Sequence, residues 1–236
     1  GERHQKIILY LDRFLTAELK PGQAITRSIV MRWIEGMAHL SIGTRINRLC
    51  ILRQFCLYLR YFDPRTCIIQ RSFLPRRTRS APHIYAREEV LKIMAAAKRL
   101  GPPESLRPVV IATIIGMLYA TGVRIGEALN LTLGDVDLKQ RLIQVRKSKF
   151  KKSRYVPIAP STAHHLAAYL RQRQQAGFST ASTAPLFVNL NGTRYGHPLF
   201  TTTFLEILRN SGIRGPKGNR GPRIHDFRHT FAVERL

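Results

Sequence analysis

Three short stretches in the second half of the 236-residue sequence hold side chains whose types and spacing could do chemistry together. Ala120-Thr121-Gly122-Val123-Arg124-Ile125-Gly126-Glu127 sets one arginine close to one carboxylate just after a glycine turn. A guanidinium there can grip an oxyanion with paired hydrogen bonds, although a solvated surface arginine looks the same. Arg146-Lys147-Ser148-Lys149-Phe150-Lys151-Lys152-Ser153-Arg154, with Lys139 and Arg141, gathers eight cations and no acid in the sixteen residues 139–154. Such repulsion is costly unless an anion lies across it, and a polyphosphate backbone is the economical anion; a solvated hairpin tip is the alternative. The third stretch is Pro222-Arg223-Ile224-His225-Asp226-Phe227-Arg228-His229-Thr230-Phe231-Ala232. On a helix, His225, Arg228 and His229 share one side, while Ile224, Phe227 and Phe231 form an apolar face. Pro222 suits the first turn of that helix, whose free N–H groups favour a phosphate.

Helical spacing of Ile7, Ile8, Leu11, Phe14 and Leu15 predicts a first helix, stopped at Lys20-Pro21-Gly22. Thr26 can cap a second, striped by Ile29, Val30, Trp33, Ile34 and Met37, and a third is expected from about Thr44 to Tyr61 with arginines around its surface. Residues 72–83 carry prolines and arginines without apolar periodicity and read as a basic linker between a helical domain, 1–71, and a second domain, 84–236. The second domain opens with helices over about Arg87–Leu100 and Pro108–Ala120, then turns at Thr121-Gly122 into a short helix near Ile125–Asn130. Leu142–Val145 and Arg154–Ile158 alternate as a hairpin. Ser161-Thr162 can cap a helix to Gln175, and further helices are expected over Thr201–Asn210 and from Pro222 onward. The fold class is therefore mainly α with a small antiparallel β-sheet.

The overall charge agrees with the local clusters. Lys and Arg number 39 against 14 Asp and Glu, a formal net charge of +25. Residues 1–80 carry 15 basic and 5 acidic side chains, so both halves are basic and the surplus is not a tail. A polyanion is the partner such a surface suits, because each neutralised phosphate releases condensed counterions; a ribosomal or membrane-surface protein could be equally cationic. With 44% hydrophobic residues the chain is too apolar for disorder. Its longest apolar run, Pro108–Ala120, is thirteen residues and too short to cross a bilayer. The first residues lack the pattern of a secretory signal. Cys50, Cys56 and Cys67 are expected to be buried free thiols in a reducing compartment. No metal or other cofactor is expected, since no tight carboxylate cluster favours a metal-dependent nuclease.

The ordered triple of Ala-Thr-Gly-Val-Arg-Ile-Gly-Glu at 120–127, the lysine-bearing hairpin ending Ser153-Arg154-Tyr155-Val156-Pro157, and His225-Asp226-Phe227-Arg228-His229-Thr230-Phe231-Ala232 resembles the tyrosine recombinase, or phage integrase, family, of the mobile-element integrase type. The resemblance implies a helical core-binding domain followed by a mixed α/β catalytic domain that together bind double-stranded DNA. It implies site-specific DNA recombination or integration through a 3′-phosphotyrosyl intermediate, without metal or ATP. Arg124 and Arg228 would clamp the scissile phosphate, His225 would position it and handle protons, and Lys149, with Lys147 as the second choice, would protonate the departing 5′ oxygen. Arg146, Lys147, Lys151, Lys152 and Arg154 would contact DNA. Self-association of the full-length protein on paired DNA sites, no membrane, and a cytoplasmic, nucleoid-associated location follow from the same resemblance.

One departure bears on activity. The family's nucleophilic tyrosine follows the His-x-x-Arg motif, whereas none of the eight tyrosines here lies beyond Arg228. The sequence is therefore expected to be truncated before that tyrosine, binding DNA without cutting it. Two other readings share the fold or the chemistry: a non-catalytic DNA-binding regulator, and a type IB topoisomerase.

Overall fold

A computed structural model describes residues 2–70, 73, 81–102, 104–146, 153–218 and 221–235, and the chain divides into two compact units, Gly1–Ser80 and Ala81–Leu236. Among the described residues the first unit holds three helices: α1 (Glu2–Glu18), α2 (Arg27–Gly36) and α3 (Ile42–Leu59). Their apolar stripes meet in a core of Leu11, Ile29, Val30, Trp33, Leu49 and Leu52, with Phe14 set 4.8 Å from the Trp33 ring. Helix α3 begins two residues earlier than its sequence suggests, because Ser41 caps it by accepting from the Thr44 N–H. Thr26 does flank α2, but its hydroxyl pairs with Ser28 and caps nothing. Arg53 of α3 and Arg60, which caps its end, point back to their own unit: Arg53 donates to the Ile69 carbonyl and Arg60 to that of Thr66. Of the cysteines, all free, Cys56 alone is buried; Cys50 is exposed and Cys67 half-buried, so the expectation of three buried thiols fails. Cys50 follows the buried Leu49 on α3, and the next position round the helix faces away from the core.

The second unit is built around α5 (Arg107–Thr121), which is apolar on every side and packs against α4 (Arg87–Lys98), α7 (Pro160–Gln175) and α9 (Asp226–Val233). Val110, Ile111, Ile114 and Ile115 on α5 are fully buried. The short α6 (Ile125–Asn130) leads to a three-stranded antiparallel sheet, β1 (Val136–Asp137), β2 (Leu142–Val145) and β3 (Arg154–Pro157), in that order. The hairpin register pairs Val145 with Arg154 and Leu142 with Pro157. Strand β1 was not expected, since two residues show no alternation. Helix α7 starts at Pro160 with no side-chain cap, so Ser161 and Thr162 lie inside its first turn and do not cap it. Helix α8 (His197–Asn210) brings Phe200 and Phe204 under α9. No described helix is long and apolar enough to cross a membrane.

The loop after α7 is held by a buried cation. Arg173 is 2% exposed and donates to the carbonyls of Ser179 and Pro185, two neutral acceptors. Hydrogen bonds from a charged donor contribute about 1.5–3 kcal/mol each. Arg173→Ala is accordingly expected to cost ~3 kcal/mol, seen as a lower urea midpoint, while Arg173→Lys recovers part of the loss by keeping one of the two bonds.

Candidate functional site

Gly122 is where two of the sequence clusters meet. It ends α5 in the left-handed region, φ +60°, and a Cβ there would lie 2.5 Å from Phe231 Cδ1 on α9. Only glycine satisfies both the backbone and the space. Its carbonyl accepts from Arg228 Nη1 at 2.6 Å. Two residues on, Arg124 is the residue that opens α6. The turn thus delivers one arginine and holds the other.

Glu127 organises the guanidiniums. Its carboxylate accepts from the Arg124 backbone N–H (3.0 Å) and from Arg124 Nη1 (2.9 Å). Arg154 on β3 then grips the same carboxylate with both arms, at 3.1 and 2.7 Å. Burial alone would raise the Glu127 pKa, but the bonds from Arg154 and Arg124 outweigh it and hold the carboxyl at about 2. Two guanidiniums, Arg124 and Arg154, therefore clasp one carboxylate, with Arg228 within reach of its charge. Arg228 feels the imbalance: burial first, then the charges of Arg124 and Arg154, lower its pKa against the pull of Glu127.

The third cluster departs from expectation at its start. Helix α9 begins at Asp226, not near Pro222. Asp226 explains this, because its Oδ2 accepts from the Arg223 N–H at 2.7 Å and its own N–H donates to the Arg223 carbonyl, closing a turn before the helix. His225 is consequently the cap residue, and Pro222 lies in the approach to the helix. His225, Arg228 and His229 still share one open cleft of about 480 Å³ with Arg154 and Tyr155 of β3. The two imidazoles stand edge to face, 5.3 Å apart. Burial, then His229, Arg228 and Arg124, push the His225 pKa below the ordinary histidine value, with Asp226 opposing.

Tyr85 supports α9 from behind and carried no signal in the sequence. It is buried, stacks on Phe227 at 4.4 Å, donates from its backbone N–H to Thr230 and from its hydroxyl to the Arg223 carbonyl. Arg154 as the partner of Glu127 was also missed. Its spacing suggested only a cation of the hairpin, although Glu three places after Arg124 is the spacing of a capping box. Arg146 sets its Nε against the Asp135 carboxylate while most of its side chain stays exposed. Lys147, Lys149, Lys151 and Lys152 lie outside the described residues. Among those described, no group of three or more His, Cys, Asp or Glu is placed to hold a metal ion. The arrangement can hold a tetrahedral oxyanion by charge-assisted hydrogen bonds.

Three substitutions probe this frame. Gly122→Ala is expected to cost about 3 kcal/mol, and Phe231→Ala in the same chain to relieve the steric part while the strain of positive φ remains; urea denaturation of the four variants measures both. Because the folded Glu127 carboxyl binds a proton more weakly than an unfolded one, its contribution is complete above about pH 4.5 and fades as pH falls towards about 2. Glu127→Gln should abolish that acid limb and lower stability at neutral pH by about 2–3 kcal/mol.

The comparisons agree with this geometry. Residues 84–235 match the model of the phage integrase family. The chain is 34% identical over 227 residues to y4rB of Sinorhizobium fredii (strain NBRC 101917 / NGR234), described as an integrase/recombinase, covering 94% of this chain and 72% of that protein. It is 30% identical over 163 residues to the tyrosine recombinase XerD of Mycobacterium tuberculosis (strain ATCC 25618 / H37Rv), covering 69% of this chain and 50% of that protein. The fold is similar to that of the XerH site-specific recombinase solved in a post-cleavage complex with its palindromic difH substrate, TM-score 0.71 at 20% identity, over 96% of this chain and 66% of that one. The chain belongs to the phage integrase family of tyrosine recombinases.

Proposed function

We propose that this chain is the DNA-binding and phosphate-gripping part of a site-specific recombinase of the mobile-element integrase type. The observation that carries the reading is the convergence of Arg228, Arg154, His225 and His229 on one cleft, with Arg124 held beside it through Glu127. Such a concentration of donors has no use for a cation or an apolar ligand and suits a nonbridging phosphate pair. In this reading Arg124 and Arg228 take the two nonbridging oxygens of a DNA phosphodiester, and Glu127 with Arg154 fixes the angle of Arg124.

The chemistry follows from that grip. A tyrosine hydroxyl attacks phosphorus, the O–P bond forms, the P–O5′ bond breaks, and the strand end is kept as a 3′-phosphotyrosyl ester. In this reading His225 helps position the phosphate and handles the tyrosine proton, and Lys149, with Lys147 as the second choice, supplies the proton that the 5′ oxygen needs. Arg146, Lys151 and Lys152 would lie along the DNA backbone near the hairpin. By the same reading residues 1–71 form the core-binding domain, 72–83 the basic linker and 84–236 the catalytic domain, a division supported by the family match that starts at 84. Copies would assemble on paired DNA sites, in a nucleoid-associated location.

Binding to duplex DNA should weaken steeply with salt. Arg124→Ala and Arg228→Ala should each lower affinity about ten-fold or more and reduce the salt slope by about one, across unrelated sequences. Fluorescence anisotropy over a salt series measures this. With a nicked suicide substrate the 236-residue chain, which has no tyrosine after Tyr195, should give no covalent adduct; a protein–DNA band that survives detergent would refute the placing of the nucleophile.

A further inference from the structure

The second imidazole of the cleft takes no part in the proton transfers described above. His229 lies one turn along α9 from His225, is exposed to the same open space, and presents its ring edge to face at 5.3 Å. We propose that His229 is a positioning residue for the phosphate site: it keeps His225 a neutral hydrogen-bonding group while the cleft is empty, and the arrival of a phosphodiester draws a proton onto His225. The inference rests on the reading of the cleft as a DNA phosphate site.

The groups facing His225 come from three elements. On α9 are His229 and Arg228, with Asp226 buried and turned back to the Arg223 N–H. From α6 comes Arg124, whose charge is shared with Glu127. From β3 come Arg154, committed to the same carboxylate, and Tyr155, at the mouth of the cleft. Cations thus outnumber the carboxylates around the ring, and a proton on either imidazole would add to them. Two imidazoles this close take up two protons less readily than two isolated ones would. A phosphodiester carries one negative charge at any working pH, and bound among these cations it offsets their surplus, so a proton on His225 is opposed less. The balance is simple: one phosphodiester enters from solution, one proton enters from the buffer, and no bond is broken. The direction of the His225 pKa in the empty site, below the ordinary value because of burial and then of His229, agrees with this. A charged imidazole then stands beside the phosphate as a donor, whereas a neutral one is a competent acceptor for a nucleophile's proton, so the position of His229 sets which of the two the site presents.

Isothermal titration calorimetry of the chain with a short duplex, near pH 6.5 in buffers of different ionisation enthalpy, measures the protons taken up on binding. We expect uptake on the order of half a proton. His225→Asn should remove most of it. His229→Asn, which replaces an exposed side chain, should lower it about two-fold, because a larger share of His225 would then already be charged in the free chain. Ring NMR titration of the free chain gives an independent reading: the His225 titration should move up in His229→Asn. Binding with no proton uptake, uptake unchanged by His229→Asn, or an unmoved His225 titration overturns the inference and leaves the DNA reading intact. Absence of any binding heat and of any anisotropy change overturns both.

Discussion

A single half-buried carboxylate clasped by two guanidiniums is the constraint on which the site depends. Glu127 sits in the first turn of α6 with its side chain shielded, and no neutral residue could hold Arg124 and Arg154 together against their mutual repulsion. The cost of burying the carboxylate is offset only because two arginines and a backbone N–H satisfy it at once. The node ties β3 to the α5–α6 turn, so the sheet is part of the site and more than a platform for a basic tip. Catalysis by preorganised donors requires such fixing, since donors that must be gathered at the moment of reaction cost reorganisation energy.

Gly122 supplies the other half of the constraint. Its carbonyl and its missing side chain bring α9 against the end of α5, and Phe231 occupies the volume a Cβ would need. Arg124 and Arg228 are 104 positions apart in sequence, yet one residue's backbone stands between them. Tyr85 closes the arrangement from the core side by holding Arg223 and Thr230, on either side of His225 and Arg228.

The elements whose signals are local were legible in the sequence. The all-apolar α5, the six residues of α6 and the β2–β3 hairpin follow from periodicity and from the glycine turn. The start of α9 was not, because Asp226 prefers to close a turn on Arg223 before the helix begins, and a proline in the right place suggested otherwise. Strand β1 exists only through pairing with β2 and has no pattern of its own. Within the site, residue types were legible and partners were not. Arg154 reads as one more cation of the hairpin until the fold sets it across from Glu127, a contact 27 positions long that no spacing rule encodes. The lysines between Arg146 and Ser153 stand outside the described residues, so their part rests on the sequence.

Many of the arginines are bonded to main-chain oxygens: Arg53 to Ile69, Arg60 to Thr66, Arg107 to Gly101, Arg173 to Ser179 and Pro185, Arg194 to Leu129, Arg228 to Gly122. A peptide oxygen carries no net charge, so each of these side chains fastens a segment without having its own charge cancelled, as a carboxylate partner would do. The same residues therefore serve as rivets for the fold and as sources of the long-range electrostatic field. A polyanion drifting nearby is steered by a potential that the architecture itself generates, and fastening these segments with aspartate or glutamate instead would have dimmed it.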